Sequence, residues 1–84
     1  MSDEDLVTQL SELLSGILFE TVDPAALNAK LIEDYGANSM DVVDIAERIE
    51  RKFGITIKND EIAKLVTFGD VVGAVSRKLA DNKT

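Results

Sequence analysis

Residues 36–54 read GANSMDVVDIAERIERKFG, and this stretch decides the fold. Val42, Ile45, Ala46, Ile49 and Phe53 recur at the spacing of one helical face. Asn38 stands before them as an N-cap, since its side-chain oxygen can satisfy a backbone N–H that the first turn leaves unpaired. Asp41 sits in the first turn, where a negative charge meets the positive end of the helix. Gly54 marks the stop, because the residue after a helix often takes a left-handed conformation that suits glycine. The stretch therefore predicts a helix from just after Asn38 to Phe53. Its apolar stripe must be buried against something else in the chain.

The same logic works outward. Ser2 with Asp5 resembles a capping box, and Asp3, Glu4 and Asp5 suit a helix start. Leu6, Leu10, Leu13, Leu14 and Ile17 then predict a first helix from about residue 3 to residues 16–18, with Gly16 near its end. Residues 19–38 form a connection that is long for so small a chain, and such loops are often functional. Asp23-Pro24 reads as a turn, or as a cap followed by the first helical position. Val22, Leu27, Leu31 and Ile32 are expected to pin the loop to the core. Beyond Gly54, Ile55-Thr56-Ile57 alternates like a strand but is too short and isolated to pair, so it is read as extended loop. Asn59 is expected to cap a short helix over about residues 60–65. Thr67 with Asp70 resembles another capping box, and Phe68, Val71, Val72, Val75 and Leu79 are expected to give the last helix its inward face. Residues 81–84 are expected to fray. Gly73, costly inside a helix, is expected to admit a close neighbour. Phe19, Tyr35, Phe53 and Phe68 are expected to pack in the core or the loop.

The prediction is an all-α fold: a small four-helix bundle with three longer helices, one short third helix and a long loop between the first two. One domain spans residues 1–84, with an ordered core of about 3–80.

Composition narrows the function. There is no cysteine and no histidine, so a thiolate nucleophile, a zinc–thiolate site and the commonest general base are all absent. An independent enzyme is disfavoured. The net charge is −7, and residues 1–44 hold ten acids against Lys30 alone, which disfavours nucleic acid. No apolar run reaches the roughly 20 residues of a membrane helix, and the acidic amphipathic start is unlike a signal peptide. Cytoplasm is the expected compartment and a monomer the expected state; the start at Met1 reads as a discrete protein. Asp34, Gly36, Asn38 and Asp41 invite a calcium-loop reading, but Ser39 and Ile45 occupy the positions that need glycine and glutamate.

Ser39 is the residue that carries chemistry. A serine at a helix start is most often just a cap. Here Asn38 takes that role, which leaves the Ser39 hydroxyl to face solvent beside unpaired N–H groups and a partial positive charge. A phosphate ester is stabilised at such a place.

The segment Gly36-Ala37-Asn38-Ser39-Met40-Asp41, then Val42-Val43-Asp44-Ile45, Phe53-Gly54-Ile55 and Thr67-Phe68-Gly69-Asp70-Val71-Val72, resembles the acyl carrier protein family. The order and spacing match over nearly the whole chain. The resemblance implies that a phosphopantetheinyl transferase moves 4′-phosphopantetheine from coenzyme A onto Ser39. The arm's thiol would then hold acyl or aminoacyl cargo as a thioester, which accounts for the missing cysteine. The implied partners are acyl-transfer, synthase or ligase enzymes with basic docking patches, in fatty-acid or related lipid or polyketide biosynthesis. Asn38, Met40, Asp41, Val43, Asp44 and Glu47 form the expected docking surface. Met40, Val43 and Glu47 follow a second helical stripe, with Asp41 and Asp44 beside it. Three departures stand out: Asn38 replaces the family's usual aspartate, Met40 its leucine, and Glu47 an often apolar residue. Arg48, Arg51 and Lys52 also dilute the acidity usual along this helix. The alternative is a carrier-like helical interaction module that never receives the arm, and Asn38 keeps that reading open.

Overall fold

Among the described residues four helices form, the three long ones where the apolar spacing predicts them: α1 (Asp3–Leu18), α2 (Ser39–Phe53), α3 (Asn59–Ile62) and α4 (Phe68–Asp81). The computed structural model describes residues 3–81. Ser2 of the first expected capping box, and residues 82–84 of the fraying end, lie outside them. Asp81 is still helical.

The three long helices bury their stripes against each other. Leu6, Leu10 and Leu14 of α1 meet Val42, Ile45, Ala46 and Ile49 of α2, and Phe68, Val71 and Val75 of α4. Burial of each large side chain contributes about 1.5–3 kcal/mol, which makes this layer the main source of stability. The short α3 packs on α2. Its cap differs from expectation. Lys58, not Asn59, is the extended residue before the helix, because the Glu61 carboxylate accepts the Lys58 N–H at 3.0 Å. The helix then ends at Ile62, and tighter turns carry the chain to buried Leu65.

Glu61 also receives the Lys78 ammonium of α4 at 2.8 Å. That hydrogen bond, with the Lys58 N–H, holds the Glu61 carboxyl below the usual glutamate range. A depressed folded-state value means stability that is present above the unfolded value and lost as pH falls through the folded one. Thermal melts of wild type and Lys78→Gln are therefore expected to differ at neutral pH and to converge in acid. A gap that persists unchanged in acid would assign the effect to packing instead.

The long loop is stitched to the start of α4 through its backbone. The Leu31 N–H donates to the Val66 carbonyl at 2.9 Å, the Phe68 N–H to Ala29 at 2.9 Å and the Gly69 N–H to Leu27 at 2.8 Å. At the other end, the Ser15 hydroxyl accepts the Val22 N–H at 2.9 Å. Asp23-Pro24 is a turn, closed by the Ala25 N–H on the Asp23 carboxylate and the Ala26 N–H on its carbonyl. This stitching places Val22 and Leu31 in the core but leaves Leu27 and Ile32 exposed, contrary to expectation. Leu27 contributes its carbonyl rather than its side chain. Ile55 and Ile57, read as plain loop, are both buried, with the Ile57 N–H held by the Glu50 carboxylate at 2.9 Å.

Two further expectations are corrected. Gly73 is exposed and has no neighbour near its missing side chain, whereas a Cβ on Gly69 would lie 2.8 Å from the Leu27 carbonyl oxygen. The close approach is a loop crossing the first turn of α4, not a helix crossing its middle. Gly69→Ala is expected to destabilise by 1 kcal/mol or more, while Gly73→Ala stabilises by up to about 1 kcal/mol. Urea titrations of the two variants check the order. Phe19 is the second correction: Phe68 is fully buried, and Tyr35 and Phe53 are half-buried, but Phe19 is 93% exposed. Phe19 takes the left-handed conformation (φ 56°) just past Leu18, which extends α1 beyond Gly16.

Candidate functional site

The start of α2 is set by local chemistry on both sides. Gly36 adopts φ 71°, and the Gly36 and Ala37 N–H groups bond back to Ile32 and Leu31. Ala37 is buried, which pins the chain immediately before the cap. Asn38 is extended, and its Oδ1 accepts the Asp41 N–H at 2.8 Å. In return the Asp41 Oδ2 accepts the Asn38 N–H at 3.1 Å, completing a capping box. The Asn-x-x-Asp spacing was legible, but only the charge of Asp41 was read from it. The box is the missed half.

Ser39 is thus the first helical residue, exposed and not needed for the cap. Its position puts the hydroxyl beside first-turn N–H groups that have no intrahelical partner, within the positive end of the helix dipole.

A groove of about 540 Å³ opens at Ser39. Val42 and Val43 line the α2 side; Ile62, Ala63, Leu65 and Val66 line the α3 side; Ile32 comes from the long loop. Lys30, Glu33 and Asn59 supply its polar lining. This lining accounts for the exposure of Ile32 and Val66, which face the groove rather than the core. Sequence reasoning assigned Ile32 to the core and had no reason to join three separate segments. The only available signal was apolar residues left over from the helical stripes.

The predicted docking residues fall into two groups. Met40 is 72% exposed, and Val43 and Glu47 are also exposed, with half-buried Asp44 beside them. These four share one surface next to Ser39. Asp44 also meets Arg48 Nε at 3.7 Å. Asn38 and Asp41 are instead engaged with each other in the cap. Among the described residues no group of three or more histidine, cysteine, aspartate or glutamate side chains could hold a metal ion, and no helix is long and apolar enough to cross a membrane.

An exposed primary alcohol at a positive helix end, opening on an apolar groove, fits a phosphodiester-linked arm. Residues 8–75 match the family model described as phosphopantetheine attachment site. The acyl carrier protein of Thermotoga maritima is 32% identical over 78 residues, covering 93% of this chain and 96% of that protein. That of Helicobacter acinonychis is 38% identical over 82 residues, covering 95% and 92%. A crystal structure of an acyl carrier protein from Thermotoga maritima superposes with a TM-score of 0.82 at 25% identity, over 96% of this chain and 94% of that one. Motif order, bundle and family match agree, and the chain belongs to the acyl carrier protein family, as a non-catalytic carrier whose cofactor is covalently bound 4′-phosphopantetheine.

Proposed function

We propose that Ser39 is the attachment point of the arm, and that the chain carries acyl intermediates as thioesters on the arm's terminal thiol. It presents them to enzymes of fatty-acid or related lipid or polyketide biosynthesis, as a cytoplasmic monomer. One observation carries this reading: the Asn38–Asp41 box completes the cap without Ser39, which is exposed and lines the groove. The apolar lining suits a bound acyl chain. The transferase supplies the base that this chain lacks.

The partners are the phosphopantetheinyl transferase and acyl-transfer, synthase or ligase enzymes with basic patches. They meet Met40 and Val43 at the centre of the contact, with Asp44 and Glu47 as the charged rim. Such partners must bind and leave quickly, which a small, charge-steered contact allows. Asp44→Lys with Glu47→Lys is expected to lower the rate of loading about tenfold at low salt and to flatten its salt dependence. Asp41 is left intact in this test, because reversing it also breaks the cap. Wild-type rates at low salt would remove these two residues from the interface.

The function itself is tested by incubating the protein with coenzyme A and a broad-specificity transferase, then measuring the intact mass. A gain of one 4′-phosphopantetheine is expected. No gain with several transferases leaves the helical interaction module, the reading that the neutral Asn38 favours.

A further inference from the structure

The charges on the exposed side of α2 change sign partway along it. Asp41, Asp44 and Glu47 are followed by Arg48, Arg51 and Lys52. Asp44, Glu47, Arg48 and Arg51 succeed one another at helical spacing, so acid and base share one stripe, with Lys52 at its border. All three cations are exposed.

Among the described residues nothing nearby neutralises the basic end strongly. Glu50, the acid among these cations, turns its carboxylate to the Ile57 N–H at 2.9 Å. Arg48 reaches Asp44 only at 3.7 Å, with both side chains about half exposed, a contact that water and a partner readily displace. Among the described residues Arg51 and Lys52 make no ion pair. The three cations also share a second groove, of about 650 Å³, with Gln9, Glu12 and Leu13 of α1; among the described residues Glu12 is its one acid. Cations in the last turn suit the helix dipole, but that effect falls off within a turn and does not call for Arg48.

We infer that this basic groove is a second docking point, which takes an acidic loop or helix end of the transferase that loads this chain. The proposal rests on Ser39 being the attachment point. It specifies the partner: a basic cluster facing Asp44 and Glu47, and an acidic cluster roughly 10 Å further along the α2 axis, at 1.5 Å per residue. A uniformly basic surface, which would suit a uniformly acidic carrier helix, is repelled by Arg51 and Lys52. The bipolar stripe thereby selects its own transferase and also fixes the direction in which α2 lies across it.

The test compares wild type, Arg51→Glu/Lys52→Glu and Arg51→Gln/Lys52→Gln. Each is loaded from coenzyme A by the source organism's own transferase and by an unrelated broad-specificity transferase, with kcat/KM read from intact mass. With its own transferase the charge-reversed variant is expected to lose about tenfold at low ionic strength, mostly in KM, and to recover toward wild type as salt is raised. The neutral variant falls between the two. The broad-specificity enzyme, which lacks the acidic cluster, loads both variants at least as fast as wild type, which shows that fold and Ser39 are intact. Equal rates with the cognate transferase at low salt overturn the proposal. So does an equal loss with both enzymes that tracks a lowered melting temperature, which would make these residues structural. Failure of both enzymes to load wild type overturns the attachment reading itself, and is distinguishable because it precedes any difference between variants.

Discussion

Ser39→Ala gains no mass under conditions in which the wild type gains one 4′-phosphopantetheine. The expected effect is complete, because the variant lacks the oxygen that would become the ester, and no cysteine offers a substitute anywhere in the chain. Its specificity follows from the cap. Were Ser39 the cap itself, its replacement would also unwind the start of α2, and lost loading would be ambiguous. Asn38 and Asp41 hold that turn instead. Alanine is also a better helix former than serine. The Ser39→Ala melting curve should therefore stay within about 0.5 kcal/mol of wild type, the usual range for a surface change. Asn38→Ala inverts the pattern: it costs about 1 kcal/mol through the cap but retains the attachment oxygen. A Ser39→Ala protein that still gains the mass would move the attachment to another hydroxyl.

Phe68→Ala is expected to cost about 3–5 kcal/mol, the largest stability loss of any single change considered. Phe68 is completely buried between the helices. Its N–H also holds the Ala29 carbonyl of the long loop at 2.9 Å, so the cavity opens where loop and α4 are joined. The surrounding backbone is tied by hydrogen bonds and can collapse only partly into the space. A domain of this size has a total stability of about 5–10 kcal/mol, so such a loss removes about a third or more of it and, at the low end of that range, leaves a measurable unfolded fraction at physiological temperature. Urea denaturation reads the change directly, and loading should fall in proportion to the folded fraction. Leu79→Ala, at a half-buried position on the same helix, should cost much less. Similar losses in the two variants would contradict the burial difference.

The legible features were those whose causes lie within about four residues. Helical stripes depend on the 3.6-residue repeat, and the box at Thr67 and Asp70 is made by neighbours: the Asp70 N–H donates to Thr67 Oγ1 and the Thr67 N–H to the Asp70 carboxylate. The position of Ser39 was legible for the same reason, since Asn38 and the helix start define it, whereas its reading as an attachment point came from the order of motifs along the whole chain. Lys58 displaced Asn59 as the cap because two neighbouring N-terminal arrangements were both locally plausible, and the position of Glu61 decided between them. Phe19 escaped because apolarity alone does not indicate whether a side chain beyond a helix end has a surface to cover.

By itself the sequence determined four helices, the serine at the start of the second and the family it resembles. Each rests on periodicity, capping or motif order along the chain. Tertiary structure alone decided which loop residues are core and which line the groove. Leu31 faces inward and Ile32 outward because the backbone around them is bonded to Val66 and Phe68, more than thirty residues away. The same crossing made Gly69, rather than Gly73, the position that excludes a side chain. Tertiary structure also brought Arg48, Arg51 and Lys52 together with α1 in one groove. Contacts between distant segments set the direction of a side chain only after the helices have packed, and local spacing carries no record of them.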